Sequence, residues 1–278
     1  MNNRLSVVSP MLRRLTDERA TGVLIRDHGA LYLVDGQVVH AEAAAAPGLD
    51  VITAASGRLR PDHWDDAIAA AGARCQVARQ LVDSGAITAG ELEICHLGTL
   101  FDAAFFTLAT RSGATRFRYG VTHWLGPVRP VSPGAVERES MRRVRLLNSI
   151  WPHPEVDTAP VRRRPPHGRA ISPHRRALLE LADGVRTPPT IARELGRPAF
   201  NTLVEVRRLA AEGLIDATAG VPGAGAHQPS DDGSRQQEQA QAHEPPTAPD
   251  SALLRRIREA LEVPAGSPAA GQAPRRTS

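Results

Sequence analysis

The chain has 278 residues, of which 41% are hydrophobic and 4% aromatic, and its net charge is +4. This length allows one to three domains, and no apolar run is long enough to span a bilayer. With two cysteines and no secretory signal, we expect a cytoplasmic protein without disulfides. All 34 basic residues are arginines, as is typical of a GC-rich, for example actinobacterial, genome. The positive charge is therefore weak support for nucleic-acid binding.

Three short strands and two tight turns are predicted between Arg19 and Asp50. Apolar residues alternate along the first two strands, as expected for a sheet with one buried face. Asp35-Gly36 separates the second and third strands by two residues and tolerates the positive φ angles of a type I′ turn. The segment has no obvious nucleophile or set of metal ligands, so it indicates a binding or regulatory module.

Several of these residues follow the pattern of a known family. They are a leading helix with Leu12 and Leu15, then Thr21-Gly22-Val23-Leu24, Gly29-Ala30-Leu31-Tyr32-Leu33, Asp35-Gly36 and Val38-Val39-His40-Ala41. The segment resembles the PATAN domain of bacterial regulatory proteins over residues 8–56, with a closing piece at 100–120. The resemblance implies an α+β domain, a small antiparallel sheet with covering helices, and partners such as small GTPases or roadblock proteins.

This first domain is predicted to cover residues 1–150, with an inserted helical segment at about 60–98. Within the insert, Trp64, Ile68 and Ala71 have helical spacing, and Thr88 with Glu91 forms a capping box. The stretch from Arg79 to Leu92 resembles half of the helical N-terminal module of type II secretion and pilus ATPases. That resemblance implies a third hypothesis for the function, a cyclic-dinucleotide receptor.

Residues 151–170 are rich in proline and arginine and are predicted to form a linker. Arg162, Arg163 and Arg164 lie there and are candidates for contact with the DNA backbone. A solubilising linker explains the same composition.

Residues 171–218 are predicted to form a separate winged helix-turn-helix domain. Ser172 caps the first helix, and the third carries Leu203, Val206 and Ala210 towards the core. If this third helix enters the major groove, the residues on its outward side contact DNA, whereas Glu205 and Glu212 oppose the phosphates. The DNA-binding candidates of this domain are Arg197, Asn201, Thr202 and Arg208.

The C-terminal tail is predicted to be disordered over 219–250 and 264–278, because large apolar residues are rare there. Between these parts, residues 251–263 are predicted to form an amphipathic helix. Such a helix is too short to be stable alone, so we expect it to bind a partner or to dock on its own chain. Its partner-binding candidates are Leu253, Leu254, Ile257 and Leu261.

No catalytic motif, phosphate-binding loop or metal-ligand spacing is recognised, so neither an enzyme, a cofactor nor a metal is predicted. Cys95-His96 is the only adjacent pair of soft ligands, and His40 is interpreted as a packed strand residue. The leading hypothesis is a cytoplasmic, DNA-binding transcriptional regulator with an N-terminal sensor or protein-interaction domain. The alternative is a signalling adaptor that binds proteins without contacting DNA.

Overall fold

The computed structural model describes residues 9–109, 114–164 and 171–216, and all of them lie within one compact unit. These residues form a mixed α+β structure with a small antiparallel sheet, as predicted. The predicted disordered tail and amphipathic helix, with Leu253, Leu254, Ile257 and Leu261, lie outside the described residues. The helices are α1 Pro10–Asp17, α2 Leu49–Ala55, α3 Pro61–Ala71, α4 Val77–Asp83, α5 Ala89–Ala109, α6 Pro133–Ile150, α7 Pro173–Leu181, α8 Pro188–Glu194 and α9 Ala199–Ala211. The strands are β1 Gly22–Arg26, β2 Gly29–Val34, β3 Gln37–Ala43, β4 Arg116–Tyr119, β5 Arg162–Arg163 and β6 Ile215–Asp216.

The larger sheet has the order β3-β2-β1-β4, and every neighbouring pair is antiparallel. The turn between β2 and β3 is the predicted Asp35-Gly36 pair, with φ angles of 48° and 73°. Thr21 Oγ1 accepts the Asp35 amide at 3.1 Å, and the Ala20 carbonyl accepts the Gly36 amide at 2.9 Å. The turn is thus fixed both by its own residues and by the segment that precedes β1.

The two faces of this sheet differ in chemistry. Leu31 and Ala41 are paired across β2 and β3 and belong to an apolar core with Leu100 and Ala104 of α5. The next pair in register, Tyr32 and His40, lies on the opposite face because side chains alternate along a strand. The sheet therefore has one apolar face under α5 and one face with polar aromatic residues.

The predicted helical insert is present as α3, α4 and the start of α5, packed around Trp64 and Leu81. The capping box is confirmed, since Thr88 Oγ1 accepts the Glu91 amide at 3.3 Å and Glu91 accepts the Thr88 amide at 3.2 Å. By length and composition, α5 could cross a membrane, so the sequence-based prediction that no apolar run is long enough to span a bilayer was wrong for this helix. In the structure 56% of its apolar window is buried inside the protein, as in the core helix of a globular fold.

The segment predicted as a linker is folded over the part that the structure describes, residues 151–164. Pro154–Asp157 forms a 3-10 helix, and Val156 and Val161 are fully buried in the core of α7 to α9. β5 pairs with β6, which follows α9 in the sequence. Prolines in this segment therefore shape a packed connection, which the composition alone did not reveal.

The C-terminal region, α7 to α9 with β5 and β6, packs against the first part of the chain. The turn between α8 and α9 approaches α2 so closely that a Cβ added to Gly196 would lie 2.0 Å from Cβ of Ala55. Arg193 donates to the carbonyl of Ala44 at 2.6 Å, and α9 contacts α5 and α6. This continuous packing differs from the predicted arrangement of two separate domains.

Candidate functional site

The predicted DNA-reading residues of α9 do not all face solvent. Asn201 and Arg208 are exposed, whereas Thr202 is buried with 3% exposure, and its hydroxyl donates to the Pro198 carbonyl at 3.2 Å. Arg197 precedes the helix and donates to the His174 carbonyl at 3.2 Å. The prediction that Thr202 faces outward is therefore wrong, because α9 has a second buried side.

This second side of α9 is apolar. Phe200, Leu203 and Val204 form a cluster with Phe105 of α5 and Leu147 of α6. A different set, Val206, Leu209 and Ala210, faces the core that α9 shares with α7 and α8. The helix is thus buried on two sides, and its first two turns contact α5 and α6 where a major-groove helix would contact bases.

A buried carboxylate fixes the start of α9. Asp102 of α5 accepts the amides of Ala199 and Phe200 at 2.6 and 2.9 Å. Arg143 of α6 donates to the same carboxylate at 3.2 Å, and its guanidinium carbon lies 4.5 Å from the ring centre of Phe200. Burial raises the pKa of Asp102, and the Phe200 amide and Arg143 oppose this rise. These contacts satisfy amides that have no partner within the helix.

The charged side chains on the exposed side of α9 form ion pairs with one another and with α7. Arg175 of α7 donates to Glu205 and Glu212 at 3.0 Å each, and Arg208 donates to Glu205 at 2.6 Å. Carboxylates at these two positions repel phosphates, as the sequence predicted. The exposed surface of α9 is therefore of mixed charge.

The three linker arginines lie at the ribbon of β5 and β6. Arg162 and Arg163 form β5 and are exposed, with Arg162 beside Gly184. Arg164 is paired with Asp216 of β6 at 3.4 Å. The structure therefore places Arg162 and Arg163 on a short two-stranded ribbon, with Arg164 directly after β5.

A second polar site, the histidine cluster, lies at the edge strand β3, where the Tyr32–His40 face of the sheet meets His96 of α5. It consists of His40 and Glu42 of β3, His96 of α5, His123 of the loop after β4, and Tyr32 of β2. The rings of His40 and His123 stack with their centres 3.9 Å apart, and His40 Nδ1 lies 3.3 Å from His96 Nε2. All three histidines are at least 93% buried, since none is more than 7% exposed.

Hydrogen bonds define the proton positions at one end of this cluster. Glu42 Oε1 lies 3.0 Å from His123 Nε2, and Glu42 Oε2 accepts the Tyr32 hydroxyl at 3.2 Å. The Leu125 amide donates to His123 Nδ1 at 3.2 Å. Because Nδ1 of His123 is an acceptor, its ring proton lies on Nε2 and is donated to Glu42.

Burial keeps the other two histidines neutral. It lowers the pKa of His40 far below its ordinary value, and the neighbouring His123 and His96 act in the same direction. Burial also lowers the pKa of His96 to about 4, despite the nearby carbonyl of Val39. The Tyr32 pKa is raised, by burial first and then by Glu42. At neutral pH the imidazoles of His40 and His96 are therefore uncharged and have lone pairs to share.

The cluster contains donors that suit a transition metal. One ligand atom each from His40, Glu42 and His123 lie within 4.8 Å of one another. Neutral imidazole and carboxylate are ligands of zinc. In addition, His96 Nδ1 is buried and makes no hydrogen bond within the described part of the chain. This donor set was missed at the sequence level because its members are scattered between positions 40 and 123.

The stretch proposed for a cyclic dinucleotide gives little support to that ligand. Arg79 is paired with Asp83 at 3.3 Å. The nearby cleft, of about 330 Å³, is lined by Asp66, Gln80 and Ser84 among others, and its lining within the described residues includes no arginine. A phosphate bound there would face the carboxylate of Asp66, and the basic side chain among the described lining residues is His63.

Comparison with known proteins adds no identification: no family model, no curated protein and no solved structure matches this chain.

Proposed function

We propose that this chain is a non-enzymatic signalling adaptor that binds other proteins without contacting DNA. In this proposal, the N-terminal sheet region is a PATAN-like domain, and the C-terminal region is a winged helix used for packing. The single observation that carries it is the second apolar side of α9. Phe200, Leu203 and Val204 are buried against α5 and α6. The helix that would contact bases in a DNA-binding winged helix is therefore used here for packing within the protein.

The chemistry of α9 supports a lasting internal contact. A surface that alternates between DNA and another domain is expected to be polar, since phosphates and base edges are recognised by hydrogen bonds and cations. Phe200 is instead 6% exposed and packs edge-on against Phe105, with ring centres 5.4 Å apart. Exposing Phe200 and Leu203 to bind DNA would cost their apolar burial, about 1.5–3 kcal/mol for each side chain.

The partners in this proposal come from the resemblance to the PATAN domain. The resemblance is supported by one antiparallel sheet that contains Gly22 of β1, Gly29 to Leu33 of β2 and the Asp35-Gly36 turn after it. Small GTPases and roadblock proteins are therefore the first classes to test. Each would be purified and titrated into the full chain by calorimetry.

A DNA titration separates the adaptor from a transcriptional regulator. The full chain is titrated into DNA from upstream of its own gene, and into shuffled DNA, at about 50 and 200 mM salt. We expect no binding to either DNA; equal and salt-sensitive binding to both would indicate contact with phosphates only. Tight binding to the first DNA alone, lost in Asn201→Ala and retained in Ser149→Ala on α6, would reject the adaptor.

One observation favours a second candidate, a regulator that contacts DNA through its ribbon. Arg162 and Arg163 are both exposed on β5, where a winged helix can contact phosphates. If so, the double variant Arg162→Ser, Arg163→Ser loses salt-sensitive DNA binding. The matched control is Arg13→Ser, Arg14→Ser on the exposed side of α1, which retains it.

A further inference from the structure

We propose that the histidine cluster is a zinc site in which His40, Glu42 and His123 are ligands and His96 supplies the fourth donor. This inference is independent of the adaptor proposal. It rests on the positions of the donor atoms, which three separate parts of the chain bring together. β3 supplies His40 and Glu42, α5 supplies His96, and the loop after β4 supplies His123.

The spacing of the donors is close to that of ligands on one ion. Two ligands of a tetrahedral zinc ion, each bonded at about 2.0–2.1 Å, lie about 3.3 Å apart. His123 Nε2 and Glu42 Oε1 are 3.0 Å apart, and His40 Nδ1 and His96 Nε2 are 3.3 Å apart. The first pair belongs to the three residues whose ligand atoms all lie within 4.8 Å of one another, and the second joins His96 to that set; each pair has nearly the separation that a shared ion requires.

The burial of the cluster supports a ligand as well. Three imidazoles and a carboxylate are packed together, and none of the three histidines is more than 7% exposed. Neutral imidazoles and a carboxylate are ligands of zinc, so an ion bound between them would share their lone pairs at a place from which water is largely excluded.

Zinc binding requires three local changes. The stacked rings of His40 and His123 must move apart from their separation of 3.9 Å, because rings that share an ion diverge from it. The proton of His123 must move from Nε2 to Nδ1, so the Leu125 amide must release Nδ1. The proton between His40 Nδ1 and His96 Nε2 must also move to the other nitrogen of the ring that carries it, because both of these atoms become ligands. The first two changes involve the loop after β4, which zinc would then fix to β3 and α5.

A site in which four protein donors fill the coordination of the ion is of the structural kind. Zinc would link strand β3, helix α5 and the loop with His123 and Trp124, so its effect is stability of this part of the fold. The proposed zinc site uses no cysteine ligand. Cys95 belongs to the apolar cluster of α3 and α4, and Cys75 Sγ lies 3.4 Å from Thr122 Oγ1.

The test uses the full chain, purified without chelator and with any affinity tag removed. The zinc content per chain is measured by inductively coupled plasma mass spectrometry. The metal is then removed with a chelator, and the protein is titrated with Zn²⁺ and, separately, with Co²⁺. We expect one zinc per chain, a higher melting temperature on zinc addition, and a Co²⁺ spectrum of a four-coordinate site without thiolate charge transfer. Two-dimensional NMR should show the Leu125 amide shifting on zinc addition.

His123→Asn is expected to weaken zinc binding at least tenfold, as loss of a ligand should exceed the effect of outer-shell changes, about 10–100-fold. The matched control is His28→Asn, which alters an exposed histidine in the β1–β2 turn and should bind zinc as the wild type does. If His123→Asn does not fold, the Co²⁺ spectrum and Leu125 shift of the wild type decide the question. Wild-type protein that binds no zinc, or variants that all bind it equally, would overturn the proposal.

Discussion

Asp102 accepts the backbone amide of Phe200 at 2.9 Å, although the two residues are 98 positions apart. The carboxylate lies in α5 and the amide at the start of α9, so one hydrogen bond joins the two halves of the chain. Negative charge at a helix N-terminus is favourable because the unpaired amides and the helix dipole both attract it. Arg143 compensates the buried charge from α6.

Substitution of this carboxylate should loosen α9. Asp102→Asn keeps the size of the side chain but removes its charge and one acceptor oxygen. We expect a loss of about 1–3 kcal/mol in the free energy of unfolding, because buried amides and Arg143 lose their partner. Urea denaturation gives the loss, and hydrogen exchange should quicken at Ala199 and Phe200.

The matched control for Asp102→Asn is Asp183→Asn. Asp183 also accepts two amides, those of Val185 and Arg186 at 2.8 and 3.0 Å, and also pairs with an arginine, but its side chain is 38% exposed. The loss in the free energy of unfolding should be clearly smaller for Asp183→Asn than for Asp102→Asn, because water replaces the missing partners at an exposed site. Equal losses in the two variants would show that burial at α9 is not what makes Asp102 important.

The packing of Phe200 predicts that both halves of the chain unfold together. Phe200→Ala should cost about 3–5 kcal/mol, as for other buried phenylalanines. It should also shift the unfolding of the helical cluster around α3 and α4, reported by Trp64 and Trp124 in a Trp151→Phe background, as much as it shifts the overall loss of helix. Fluorescence and far-UV circular dichroism would then give coincident curves.

Met141→Ala on α6 is the control for that experiment, since Met141 is 41% exposed. It should change the free energy of unfolding by no more than about 0.5 kcal/mol. Two separate transitions in Phe200→Ala would mean that the C-terminal region folds on its own.

Glu139 predicts a dependence on pH. It accepts hydrogen bonds from Arg142 and Arg143 at 2.7 and 2.9 Å, and these bonds, that of Arg142 first, lower its pKa below 4.5. Since the folded-state pKa is lowered, its stabilisation is fully present above pH 4.5 and is lost as the pH falls through the folded-state value. Glu139→Gln should therefore cost about 0.5–1 kcal/mol at neutral pH.

The cost of Glu139→Gln should shrink towards zero as the pH falls well below 4.5, measured by urea denaturation across that range. Glu155→Gln serves as control, because Glu155 is exposed and outside this network. A cost that stays constant with pH would contradict the role of the charge.

Two glycines with the same backbone conformation should differ in their tolerance of alanine. Gly196 and Gly213 have φ angles of +58° and +72°, where any L-residue costs about 1–2 kcal/mol. A Cβ at Gly213 meets open space, whereas at Gly196 it would clash with Ala55 of α2. Gly196→Ala should thus lower the melting temperature more than Gly213→Ala, and equal effects would argue against close packing of the α8–α9 turn on α2.

Local signals in the sequence were sufficient for much of the fold. The Asp35-Gly36 turn, the capping box of Thr88 with Glu91, and the Ser172 cap, which accepts the Arg175 amide at 3.4 Å, are all present. Each depends on residues within four positions of one another. Short-range turn and capping chemistry is encoded in that way.

Long-range features were harder to predict. The prediction that Thr202 lies on the outer side of α9 depends on Leu203, Val206 and Ala210 forming one apolar side. Val206 and Ala210 do face the core shared with α7 and α8, but Leu203 belongs to the other apolar cluster. A second stripe, Phe200 with Leu203 and Val204, has helical spacing too and could have signalled another packing partner. Two overlapping apolar stripes indicate a helix buried on two sides.

The histidine cluster had no such signal. His40, His96 and His123 lie on three different elements, and only the strand pairing and the course of α5 bring them together. Their neutral state also depends on burial, which the composition of a short window does not report. Neither the cluster nor its chemistry could therefore be predicted from residue spacing.

The pairing of β5 with β6 affects how the protein can be divided for study. A fragment that begins at residue 171 would look like a complete helical module, yet it would leave β6 without its strand partner. It would also uncover the side of Ile215 that Val161 helps to enclose in the same apolar cluster. Expression of the C-terminal part alone would thus yield an open ribbon edge and an incomplete core, a combination that promotes aggregation.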